Sequence, residues 1–169
     1  PLRWTGEQTM ADNRQLIVAA LAGVLADERP THKVAAMFVD SAFGAVIVSQ
    51  LQALGYRHVH EVNFGGPALD VHDANMRAYM WRQVKDWLPH AAIDPKDQRL
   101  SDDLEAPGYH LNPKQQLVLE AKEHMQARGV ASPDDGDSLA LTFAAPVAVK
   151  RPGATPPPRA VQGATAWMG

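Results

Sequence analysis

VAAMFVDSAFGAVIVSQLQALGYRHVHEVNF, residues 34–64, alternates short apolar runs with turn signals in the manner of a strand–helix–strand unit. Val34 to Val39 is an apolar run too short for a free-standing helix and without polar alternation, as expected of a strand buried on both faces in a parallel sheet. It stops abruptly at Asp40. Ser41-Ala42-Phe43-Gly44 reads as a turn, and Ala45 to Leu54 as a helix with Ile47, Val48, Leu51 and Leu54 on one side, closed by Gly55. A second short strand, Val59 to Phe64, runs into Gly65-Gly66-Pro67.

Upstream, Leu16, Ile17, Ala20, Leu21, Val24 and Leu25 recur at helical spacing and predict an amphipathic helix over Glu7 to Ala26, with Pro30 just beyond it. Downstream, Met76, Met80, Val84 and Leu88 predict a helix over Asp73 to Leu88, with Asp73 as N-cap and Pro89 as its stop. The order helix, strand, helix, strand with short connections is that of an α/β sheet with right-handed crossovers. Ala92 to Pro113 reads as irregular and acidic, a solvated loop. Leu117 to Glu120 is expected as a short edge strand leading into a basic helix, Ala121 to Arg128, that Gly129 caps. Ser132 is expected as the N-cap of a last helix running through Ala144, with Pro133 at its first position. Residues 1–149 then form one domain, and the Pro- and Gly-rich segment 150–169 a flexible tail.

A chain of 169 residues that is 46% hydrophobic can bury a core without staples, and the absence of Cys excludes disulfides and a thiolate zinc site. The formal net charge of −3 carries no bulk nucleic-acid footprint. No apolar run approaches the ~18 residues of a membrane span, and the first ten residues lack the apolar segment of a signal peptide. A soluble, cytoplasmic protein without a membrane partner is expected. Because Pro1 rather than Met stands first, a piece of a longer chain is expected. His58 and His60 have no third ligand at zinc spacing, and Gly65-Gly66 is no dinucleotide fingerprint. Trp81 and Trp87 read as core or interface aromatics.

Three acids stand out. Asp40 lies at the carboxyl end of the most apolar strand, where open α/β sheets place their ligands, although a helix cap has the same signature. Asp134 and Asp137, three apart in SPDDGDSLALTFA, share one face of a first helical turn and can aim two carboxylates at one point. Such a pair repels itself and is either solvated or neutralised by a cation, while macrodipole matching alone also accounts for acids at a helix start. Asp135 points about a hundred degrees away from Asp134 and so away from that point. Lys122, His124 and Arg128 lie on one short helix, either as phosphate contacts or as an ordinary solvated face.

FVDSAFG at 38–44, DANMRAYMW at 73–81, LVLEAKEHMQARG at 117–129 and above all SPDDGDSLALTFAAPV at 132–147 give the chain, from Arg3 to Val147, a resemblance to the C-terminal nuclease part of the large terminase subunit of tailed bacteriophages. The last motif also resembles the closing helix of RuvC-type junction resolvases. The resemblance implies an RNase H-like α/β fold and an endonuclease that cuts concatemeric double-stranded DNA with Mg²⁺ or Mn²⁺. It implies Asp40, Asp134 and Asp137 as catalytic metal ligands, with Lys122 and Arg128 on DNA. The terminase small subunit and the portal protein are implied as partners, and the host cell cytoplasm as the location. The family's first acid lies on a β-meander upstream of the helix that opens this chain, and nothing before Glu7 reads as that meander. No G-x-x-x-x-G-K-[ST] loop of the motor's ATPase occurs either. A partial nuclease domain is therefore expected, the alternative being a non-catalytic DNA-binding or assembly remnant of a terminase.

Overall fold

The computed structural model describes residues 10–29 and 31–147. In chain order these form α1 (Met10–Leu25), β1 (Met37–Asp40), α2 (Ser41–Ala53), β2 (Val59–Val62), α3 (Met76–Trp87), a 3-10 turn (Leu88–His90), α4 (Gln98–Glu105), β3 (Tyr109–Leu111), β4 (Leu117–Leu119), α5 (Lys122–Ala127) and α6 (Asp134–Leu141). The segment after Val149 lies outside the described residues. Among those described, no helix is long and apolar enough to cross a membrane.

β1 and β2 pair in parallel, Met37 opposite Val59 through Asp40 opposite Val62, with α2 as their crossover. Successive strand residues face opposite ways, and both faces are covered. Met37, Val39 and Val59 join Val18 and Leu25 of α1 and Val48 and Leu51 of α2 in one cluster. Phe38 and Val62 join Met80, Trp81 and Val84 of α3, Ala140 of α6 and Ala144 in another. The molecule is thus an α/β protein whose short parallel sheet is flanked by helices on both sides, as the apolar runs predict. Complete burial of a side chain such as Leu51 or Met80 contributes roughly 1.5–3 kcal/mol.

Local differences from the sequence reading have local causes. β1 begins at Met37 rather than Val34, and all four of its residues are half-buried, because the strand has a single neighbour. No separate turn follows it: α2 begins at Ser41, with Asp40 in extended conformation (φ −62°, ψ 129°) as its N-cap. Gly44 makes this tight passage possible, since a Cβ there would stand 2.2 Å from Val39 Cγ1. Leu54 falls beyond the end of α2 and is 62% exposed, not part of the buried stripe. α3 is capped by Asn75, whose side chain accepts from the Ala78 N–H, rather than by Asp73. Asp73 is instead 2% exposed and accepts two hydrogen bonds from Arg82 Nε, both at 3.0 Å, and one from Nη2 at 2.7 Å.

The expected acidic loop contains α4 and β3, the latter antiparallel to β4 with Tyr109 opposite Leu119. Leu117 also forms an isolated parallel bridge with Asp73, which ties this hairpin to the segment before α3. α6 starts one residue later than expected and stops at Leu141: Pro133 is the cap residue and offers no side-chain hydrogen bond. Ser132 spends its hydroxyl on Asp134 Oδ1, at 2.8 Å, and caps nothing.

Candidate functional site

The site is built where α3, α5 and α6 meet. Gly136, in the first turn of α6, lets the helix approach α3 closely, because a Cβ there would lie 2.8 Å from Trp81 Cη2. The free N–H groups of that turn are satisfied from a distant element: Asp103 Oδ2, on α4, accepts from the N–H of Asp135 at 2.8 Å and of Gly136 at 3.1 Å. A carboxylate so placed also complements the positive end of the helix. Asp135 turns away from the site and pairs with Arg99 of α4, at 3.0 Å.

Asp137 is 5% exposed and is held on several sides. Its Oδ1 accepts from Arg77 Nε at 3.0 Å and from Trp81 Nε1 at 2.8 Å. These two donors are four apart on α3 and so project from the same face of that helix. Arg77 is fixed in turn by Nη1 donating to the Glu120 carbonyl at 3.0 Å, and its guanidinium lies 5.9 Å from the Trp81 ring centroid. Arg77 Nη2 is buried without a hydrogen-bond partner among the described residues. Asp137 Oδ2 pairs with the Lys122 ammonium, Nζ standing 2.8 Å away. The same ammonium lies 3.9 Å from Oδ1 of Asp134, which is exposed.

Asp134, Asp137 and Lys122 are therefore brought together, as their spacing predicts for the two acids. Asp40 stands at the end of β1, where its Oδ1 accepts from the Ala42 N–H at 3.1 Å. Among the described residues no three His, Cys, Asp or Glu side chains are grouped as a metal ligand set. Asp40, Asp134 and Asp137 are thus not gathered into one. The pair Asp134 and Asp137 by itself suits a hard cation, since Mg²⁺ sites commonly use one or two carboxylates and complete their shell with water.

Arg128 is engaged close by rather than pointing free. Its Nε donates to Glu120 Oε1 at 2.9 Å, and Nη2 donates to Glu120 Oε2 at 2.8 Å and to the Ala106 carbonyl. These bonds, with one from the Gly108 N–H, hold the Glu120 carboxyl down to about 2 and raise the Arg128 guanidinium above its ordinary value.

Sequence reasoning missed Arg77 and gave Trp81 only an apolar role. The available signal was their four-residue spacing in DANMRAYMW; the partner, Asp137, stands 60 residues from Arg77. Comparison of the chain with family models, with curated proteins and with solved structures finds no match.

Proposed function

We propose that this chain is the RNase H-like nuclease part of a phage DNA-packaging terminase, an endonuclease that cuts concatemeric double-stranded DNA with Mg²⁺ or Mn²⁺. The observation that carries the reading is the pair Asp134 and Asp137 on one turn of α6, sharing a single cationic centre, Lys122 Nζ. The motif SPDDGDSLALTFAAPV, on which the family resemblance chiefly rests, is the segment that builds this pair.

In this reading Asp134 and Asp137 hold the metal, while Asp40, which caps α2 at the end of β1, stands outside that pair. Bound there, the metal supplies stabilisation of the charge that builds on the scissile phosphate. Asp137 cannot rotate, because Arg77 and Trp81 fix one of its oxygens and leave the other facing Lys122. Asp134 is exposed and presents its charge at the mouth of the site, steadied by Ser132. Lys122 is the phosphate contact, and Arg128 acts on DNA only after release from Glu120. The terminase small subunit, the portal protein and the host cytoplasm follow from the same reading.

The test is nicking of supercoiled plasmid with Mn²⁺. Slow, metal-dependent nicking that Asp134→Asn abolishes is expected. Nicking that survives this substitution would contradict the assignment. One observation favours a second reading, a non-catalytic DNA-binding or assembly remnant: no three-acid set is grouped among the described residues. DNA binding with no Mn²⁺-dependent nicking after prolonged incubation is its expected result.

A further inference from the structure

We propose that the Lys122 ammonium is a built-in competitor for the cation site, and that a divalent ion binds between Asp134 and Asp137 only by displacing it. This rests on reading the two acids as cation ligands, and it adds the device that regulates their occupancy.

Three observations carry it. First, Lys122 Nζ already stands where two carboxylates aim, 2.8 Å from Asp137 Oδ2 and 3.9 Å from Asp134 Oδ1. Ammonium and a hydrated divalent ion cannot share that volume. Second, the ion pairs that Lys122 makes among the described residues are with these two acids. It opens the short helix α5 with its side chain 39% exposed. A flexible four-carbon stem at such a position swings into solvent and regains rotamer freedom. Third, Asp137 is buried and its Oδ2 is paired with the Lys122 ammonium, so departure of Lys122 leaves a buried negative charge that favours a replacement cation. With Lys122 in place the side-chain charges of Arg77, Lys122, Asp134 and Asp137 sum to zero. Without it they sum to −1, and the pull on a divalent ion rises.

The experiment is calorimetric titration of Mn²⁺ into the wild-type chain, Lys122→Met and the double variant Lys122→Met/Asp134→Asn. Lys122→Met is expected to bind Mn²⁺ at least about fivefold more tightly than wild type, as removal of one neighbouring positive charge at a partly exposed site implies. The double variant is expected to lose that gain. Equal affinity of wild type and Lys122→Met, each weakened by Asp134→Asn, would overturn the displacement while leaving the metal reading intact. No Mn²⁺ binding by either chain would overturn both. A measurement on the wild type guards against a variant that folds poorly: NMR of the Lys122 side-chain ε-methylene during Mg²⁺ titration. Its signals are expected to sharpen and move to the values of a solvated lysine as the site fills. Saturation by Mg²⁺ with those signals unmoved would overturn the proposal.

Discussion

Asp137 joins a guanidinium, an indole N–H and an ammonium around one buried carboxylate. Removing it leaves Arg77 charged and buried, with the Glu120 carbonyl as its one remaining hydrogen-bond acceptor among the described residues. Asp137→Ala is therefore expected to cost about 3–5 kcal/mol of stability, the range for breaking one side of a buried ion pair. Urea unfolding checks this through a lower midpoint at unchanged slope. A loss below about 1 kcal/mol would mean that solvent reaches Arg77 and that the cluster is not buried. The two acids of α6 were legible in the sequence because helical spacing alone puts them on one face. Arg77 was not, because a charge on a predominantly apolar helix is assigned to solvent until its partner, far along the chain, is known. Trp81 was readable as core, and its indole N–H is what makes it part of the site.

At the scale of elements, α6 is capped from α4 by Asp103, a contact between residues more than thirty apart. Asp103→Ala is expected to destabilise the fold by about 1 kcal/mol, the typical worth of a lost cap. Hydrogen exchange of the Asp135 and Gly136 amides should quicken in that variant, and unchanged exchange would show that the cap contributes nothing. The junction of β4 and α5 is tied by Glu120, whose carboxyl is lowered from 4.5 to about 2 by the Arg128 guanidinium and then by the Gly108 N–H. A lowered folded value means that the stabilisation is present above the unfolded value and fades as pH falls from about 4.5 toward 2. Glu120→Gln should therefore lower the melting temperature at neutral pH and flatten its fall over that acid range. Melting curves of both proteins from pH 7 to pH 2 test the sign, and parallel profiles would contradict it. The apolar runs located β1, α2 and β2 because a buried sheet needs continuous hydrophobics. They did not reveal α4, whose Leu100 and Leu104 are embedded among charges and whose role is to cap a distant helix.

For the molecule as a whole, the two apolar clusters on either side of β1 and β2 explain why so short a sheet holds. The α1 and α2 side is packed with aliphatic residues and carries no part of the α6 acid pair. The α3 and α6 side carries the buried charge, and there the proposed chemistry sits next to the core that positions it. The α/β layering was legible from the order of elements alone, whereas the relation of Asp40 to the α6 acids depends on how three layers pack, which no local pattern records. The most direct measurement is anomalous scattering from crystals of this chain equilibrated with Mn²⁺. A manganese peak between the carboxylates of Asp134 and Asp137, with the Lys122 ammonium moved out, is the predicted result; Lys122 unmoved between the two acids at saturating Mn²⁺, with no peak there, would contradict it.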